Sequence, residues 1–229
     1  MNNLAVGKVK RQSLVEQTLE LLRDSILTGG LPPGTRLLEI DLAKELGISR
    51  GTLREALRML ENEGLVESFP GRGSYVARLS ERDIREVYSL RSLLEKEAVR
   101  LAIDNVTQDD IRQLQETLDR MIAAADRGDA AQVNQYDLQF HQTIWALAEH
   151  QRLQEVLEGI LSQVRMYLTV NTQLYEDLAT GIADHVQIME AIRSRDRELA
   201  ARNMGKHLDD AATLVTGFAR EHGGDEGEA

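Results

Sequence analysis

Four residues in the second half of the chain have the chemistry of metal ligands: Asp137, His141, His185 and His207. Asp137 and His141 stand four apart, so on a helix they are neighbours on one face. That face continues through Val133, Phe140, Ile144 and Ala148, which turns the pair toward a core. His185 falls in the stripe of Ile182, Ile188, Met189 and Ile192, and His207 in the stripe of Ala200, Asn203, Ala211 and Leu214. Taken alone, each imidazole reads as a hydrogen-bonded core histidine. Together they are three imidazoles and a carboxylate aimed into one interior, with no other cation expected there. Buried ionisable groups are costly unless paired or coordinating, so a divalent ion explains the set better than unrelated core residues do. Nitrogen and oxygen donors without a thiolate suit Zn²⁺ or Ni²⁺, and Mn²⁺ or Fe²⁺ are compatible. His150 and His222 fall at helix ends and read as surface residues.

A second chemistry lies in residues 38–63, LEIDLAKELGISRGTLREALRMLENE. A first short amphipathic run, Glu39 to Leu46, places Ile40, Ala43 and Leu46 near one face. It breaks at Gly47-Ile48-Ser49, and Ser49 is a good N-cap for a second helical run. In that second run Leu53, Ala56, Leu57 and Leu60 form one apolar stripe, while Gly51, Arg54, Glu55 and Arg58 face away from it and Arg50 and Thr52 flank it. Helix, tight turn, helix is either an ordinary helical hairpin with a basic edge or a helix-turn-helix whose second helix enters a major groove. The next residues favour the latter. Leu65 to Phe69 alternates as a strand, Pro70-Gly71-Arg72-Gly73 is a turn, and Ser74 to Ala77 is a second strand. A glycine-tipped hairpin after a recognition helix is a wing. Arginines at the start of such a helix can bond phosphate or the O6/N7 edge of guanine.

The elements that must hold these two sites are set by the rest of the pattern. Hydrophobic residues are 42% of the 229 and aromatic residues 4%, which favours Leu/Ala-rich helices over an aromatic β core. Leu14 to Thr28 reads as a helix with Val15, Leu19, Leu22 and Ile26 inward, and Arg36 to Leu38 as a short strand pairing with the wing. Residues 1–12 read as a flexible basic tail, 13–78 as the winged unit and 79–222 as an all-helical unit, leaving 223–229 as a disordered tail. Six helices are expected in the second unit: Asp83–Asn105, Thr107–Arg127, Asp129–Glu149, Leu153–Asp177, Ile182–Arg195 and Arg197–Glu221. Their core stripes include Val87, Leu90, Leu94, Ala98 and Leu101 on the first helix, and Ile111, Leu114, Leu118, Met121 and Ile122 on the second. The fold class is therefore mainly α, a winged helix-turn-helix followed by an antiparallel helical bundle. The absence of cysteine removes disulfides and fits a reducing cytoplasm. No segment reads as a signal peptide or membrane span. The net charge of −11 is uneven: residues 1–78 hold 11 basic against 10 acidic groups, a net of +1, and residues 79–229 carry −12. Affinity for DNA then depends on a few placed arginines and on dimerisation, while the acidic unit keeps DNA off the wrong face.

The stretch from Ile26 to Val76 resembles the GntR superfamily of bacterial transcription regulators. The resemblance is carried by Gly30-Leu31, Pro33-Gly34, Leu42-Ala43, Leu46-Gly47, Ser49-Arg50, Arg54-Glu55-Ala56-Leu57, Glu63-Gly64-Leu65-Val66 and Arg72-Gly73. It implies DNA contacts from Arg50, Thr52, Arg54 and Gly71, and the wing adds Arg72. Two positions depart from the pattern: Gly51 stands where threonine is common, and Ile40 where some members have a contacting arginine. The helical half resembles the FCD ligand-binding domain of the FadR subfamily through Asp137-x-x-Phe140-His141, His185-x-x-Ile188-x-x-Ala191-Ile192, Asp196…Ala200 and His207-Leu208. That resemblance implies a metal held by Asp137, His141, His185 and His207, and a small organic acid held by the metal. It also implies an effector-binding arginine at Leu90-Arg91. Arg91 can clamp a carboxylate or form an interhelix salt bridge, and Arg165 is a weaker candidate of the same kind.

These readings converge on a metabolite-responsive, cytoplasmic regulator. It binds a palindromic double-stranded DNA operator as a homodimer, acts as a repressor, and responds to a small carboxylate effector at a divalent metal, Zn²⁺ foremost. It is not expected to be an enzyme. Two alternatives stay open: a direct metal-sensing regulator, and a helical-bundle metalloenzyme. The di-iron type of the latter needs Glu-x-x-His pairs, and this sequence has none.

Overall fold

The computed structural model describes residues 13–78, 80–174 and 178–222. The two expected tails, 1–12 and 223–229, and Leu79 of the expected linker lie outside the described residues. The chain divides into two compact units after Ala77.

The first unit starts with α1, Leu14–Leu27, opened by a capping box in which Ser13 and Glu16 each satisfy the other's backbone N–H. Leu19, Leu22 and Ile26 are buried, whereas Val15 is only half-buried. The strand β1, Arg36–Leu37, leads to α2, Glu39–Glu45, and then to α3, Arg50–Asn62. The α3 stripe of Leu53, Ala56, Leu57 and Leu60 is buried as the spacing requires. On α2 the outcome is mixed: Ala43 is buried, but Ile40 is 64% exposed, because its position points away from α3. Arg23 of α1 donates to both carboxylate oxygens of Glu63, at 2.9 and 2.5 Å, and so ties the first helix to the end of α3. The hairpin of β2, Val66–Phe69, and β3, Gly73–Val76, completes a three-stranded antiparallel sheet in the order β1-β3-β2. Arg36 opposes Tyr75, and Phe69 opposes Gly73. Gly71 and Gly73 have φ of 75° and 98°, a region where a side chain is strained, so glycine makes the wing tip possible.

The second unit is helical throughout the described residues: α4 Glu81–Asn105, α5 Gln108–Asp126, α6 Ala130–Leu147, α7 Gln151–Gly159, α8 Leu161–Leu174, α9 Leu178–Arg193 and α10 Arg197–His222. Ser80, Thr107 and Asp129 cap α4, α5 and α6 through their side chains. The expected Leu153–Asp177 helix is two helices. Gly159 weakens the turn, and Ile160 leaves helical geometry at φ −104°, ψ 5°. The break lets α8 turn Val164, Leu168 and Asn171 inward. His150 is exposed, and its Nδ1 accepts from the Leu153 N–H as the cap of α7. Arg195, at φ 56°, donates to the carbonyls of Ile103 and Val106 and so closes the end of α4.

Two core expectations shift. Ile122 is 37% exposed while Ala124 is buried. On α4, Leu90, Leu94 and Leu101 are half-buried flanks, and the inward line runs through Ile84, Tyr88, Arg91, Glu95 and Ala98. A charged pair occupies the middle of that line because its members neutralise each other four residues apart.

Candidate metal centre and nucleic-acid interface

The helix periods bring the four expected ligands together. Asp137 and His141 project from α6, His185 from α9 and His207 from α10, and all four are buried. One ligand atom from each lies within 4.8 Å of the others. Metal–ligand bonds of about 2.0–2.2 Å put the donors of one ion within about 4.4 Å of each other, so the donors must draw together to close on an ion. The imidazoles of His185 and His207 have centroids 4.4 Å apart, and Phe140 walls the other side of His185 at 5.4 Å.

Electrostatics leave Asp137 and His207 in the protonation states a metal needs. Burial alone would raise the Asp137 pKa, but the His185 contact and the neighbouring imidazoles outweigh it and hold Asp137 well below the ordinary carboxylate range. Burial, together with His185 and His141, pushes His207 well below the usual imidazole value, so its lone pair is free at neutral pH. Several buried donor atoms have no hydrogen-bond partner: Asp137 Oδ2, His141 Nε2 and both ring nitrogens of His185. His185 Nε2 lies 2.9 Å from Asp137 Oδ1 without the angles of a hydrogen bond. Orphaned polar atoms are expensive in a protein interior, and a shared cation satisfies Asp137 Oδ2, His141 Nε2 and one ring nitrogen of His185 at once. The residues therefore fit a divalent ion. Zinc in such a set would act as a Lewis acid, drawing in an anionic oxygen.

Arg91 lies in the interior, so the expectation of no further cation there does not hold. It is 2% exposed, donates from Nε to Glu95 Oε1 at 2.8 Å on its own helix, and sits 5.4 Å from the centre of the Tyr88 ring. The salt bridge is thus within α4, not between helices. Glu95 is the residue that the sequence reading missed. It is fully buried and lies 2.5 Å from His141 Nδ1. Burial would raise its pKa, but Arg91 and His141 overcome this and hold it at about 2. Arg165 is exposed on α8, whereas Val164, Leu168 and Asn171 are buried, and it does not line the cavity beside the cluster. A cavity of about 30 Å³ opens beside Asp137, His185 and His207, lined also by Asn134, Asn171 and Thr172. Asn134 Nδ2 donates to Thr172 Oγ1, and the Oδ1 atoms of Asn134 and Asn171 have no hydrogen-bond partner. Those amides stand on flanks of α6 and α8 that an apolar stripe does not reveal.

In the first unit Arg50, Arg54 and Gly51 are exposed along α3, and Thr52 is half-buried, its N–H and hydroxyl both engaged with Ser49 Oγ. Glu39, at the start of α2, accepts from Arg54 Nε at 2.7 Å and lies 3.8 Å from Arg50 Nη2. This brace holds Arg54 by Nε and leaves its two terminal nitrogens for a base edge. Arg72 and Gly71 are exposed at the wing tip. The Arg72 carbonyl accepts from Arg36 Nη2 and from the Tyr75 hydroxyl, and Arg36 stacks over Tyr75. The tip is therefore braced from β1. A Cβ at Gly71 meets nothing within 4 Å, so Gly71→Val is strained by φ and not by packing. This substitution is expected to weaken operator binding while the melting of the second unit stays unchanged. Unaltered affinity in a mobility-shift titration would reduce the wing to a structural element.

No described helix is long and apolar enough to cross a membrane. Residues 14–76 match the family described as "Bacterial regulatory proteins, gntR family", and residues 86–210 match the FCD domain. The HTH-type transcriptional regulator McbR of Escherichia coli (strain K12) is 31% identical over 197 residues, covering 84% of this chain and 88% of that protein. The gluconate operon transcriptional repressor of Bacillus subtilis (strain 168) is 28% identical over 203 residues, covering 85% and 82%. The solved structure of E. coli McbR/YncC superposes with a TM-score of 0.74 at 25% identity, covering 90% of this chain and 98% of that one. These relatives are transcription regulators, which sets aside the metalloenzyme alternative. The chain belongs to the GntR family of bacterial regulatory proteins and is a DNA-binding transcription regulator with an FCD domain, not an enzyme.

Proposed function

We propose that the protein is a metabolite-responsive repressor of the FadR subfamily. It binds a palindromic operator as a homodimer, with Arg50, Thr52, Arg54, Gly71 and Arg72 as the DNA contacts. A divalent ion, Zn²⁺ foremost, is held by Asp137, His141, His185 and His207. A small organic acid binds that ion through its carboxylate and releases or remodels the operator complex. The observation that carries this reading is the set of unpartnered donor atoms converging in the bundle interior. The acidic surface of the unit does not oppose an anionic effector, because a bound divalent ion dominates the local field. The repressor assignment draws on the B. subtilis relative, named for a gluconate operon, and gluconate is itself a carboxylate.

One observation favours the metal-sensing alternative: four protein donors are enough to close a tetrahedral site and leave no open position. A fixture survives dialysis, whereas a signal exchanges. The test of the main reading is a panel of small carboxylates added to metal-loaded protein. A binder present at about a hundred times its Kd should stabilise the fold by about 2.7 kcal/mol and should release operator DNA. A panel in which no acid shifts melting or operator binding contradicts it.

A further inference from the structure

The four ligands come from α6, α9 and α10, and α4 supplies none. Yet α4 reaches the cluster through one side chain, Glu95, which touches His141 at one oxygen and Arg91 at the other. We propose that Glu95 is the positioning residue of the metal centre. It holds His141 with Nε2 turned to the ion and links α4 to the centre. Arg91 serves as its counter-charge and not as the effector anchor. The proposal rests on the metal-binding reading above.

Three features support it. An ionised carboxylate can only accept, so the 2.5 Å contact requires the proton on His141 Nδ1. The lone pair is then on Nε2, the ring nitrogen that has no partner within the protein. A carboxylate behind a ligating imidazole fixes the ring's tautomer and orientation and makes it a better donor. Next, Arg91 is tied by Nε to Glu95 in a fully buried pair, and it does not line the cavity beside His185 and His207. An acid that captured Arg91 would leave Glu95 as a buried charge without its partner, which is strongly unfavourable. Last, α4 is the first helix of the second unit and follows the DNA-binding unit in the chain. Glu95 therefore ties His141 to the helix that comes next after that unit in the sequence.

The test uses the full-length protein and Co²⁺ as the probe. Glu95→Gln leaves Arg91 facing a neutral partner, so the double variant Arg91→Met with Glu95→Gln, which removes both charges together, accompanies it. Competition against a chelating dye should show Co²⁺ bound about 10–100-fold more weakly in both variants, with an altered visible band and unchanged operator affinity of the metal-free protein. A second readout needs no metal. Long-range ¹H–¹⁵N spectra of the metal-free wild type should show His141 protonated at Nδ1, and both variants should populate the Nε2–H form. Wild-type Co²⁺ affinity in both variants overturns the proposal, as does an Nε2–H His141 in the metal-free wild type. Loss of the carboxylate response in the double variant with Co²⁺ affinity intact also overturns it, because Arg91 would then be the anchor. A wild type that takes up no Co²⁺ while His141 keeps its proton on Nδ1 removes the metal reading itself and leaves the hydrogen bond standing.

Discussion

Replacing His185 with alanine is expected to strip the bundle of its metal while leaving the protein folded and able to hold its operator. His185 is 1% exposed and central to the cluster, with His207 on one side and Phe140 on the other. The substitution removes one of three imidazoles, and the remaining donors come from two helices instead of three. Metal content should fall from one ion per chain toward none. At a metal concentration a hundred times its Kd the wild type gains about 2.7 kcal/mol of stability, and the variant should gain nothing. The operator-binding surface belongs to the first unit, so the metal-free variant should shift operator DNA at the wild-type protein concentration. It should also ignore the acids that release the wild type. An alanine variant that still carries its ion, or still answers a carboxylate, contradicts the assigned donor set.

The second large effect is expected from Arg54→Ala. The guanidinium is exposed on α3 and braced at Nε by Glu39, which leaves two parallel donors that match the O6 and N7 acceptors of guanine. Loss of a base-reading arginine costs about 1–3 kcal/mol per half-site, roughly 5–150-fold in affinity, and relaxes sequence preference at that position. Arg50→Ala should instead weaken binding to all sequences alike and flatten its salt dependence, if Arg50 contacts phosphate. Titrations of labelled operator and of a scrambled duplex separate the two roles. Operator affinity unchanged in both variants would remove α3 as the recognition helix.

The two sites were legible in the sequence to different depths. The α3 stripe and its Ser49 cap are dictated by local spacing, and so are the two glycines at the wing. The four candidate metal ligands are legible because each interrupts an apolar stripe, and an ionisable residue at a buried position is conspicuous. Glu95 escaped because the stripe read for α4 was displaced toward Leu90 and Leu94. Its real inward line contains Arg91 and Glu95, which a hydrophobic pattern assigns to solvent, and only tertiary pairing with His141 makes that burial tolerable. Glu39 escaped for a related reason: it meets Arg54 across a turn, fifteen residues along the chain. The break at Gly159-Ile160 was hidden by continuous helical periodicity on both sides. Arg165, a weaker effector-binding candidate, is exposed while its neighbours Val164 and Leu168 take the buried side of α8.

Elemental analysis of the wild-type protein, purified without chelators and without an immobilised-metal resin, tests directly whether the bundle interior is organised around a metal. About one divalent ion per chain is expected, with zinc foremost, retained through dialysis and lost in His185→Ala and His207→Ala. Wild-type protein that carries no transition metal, and takes none up when Zn²⁺ is supplied, would contradict that organisation.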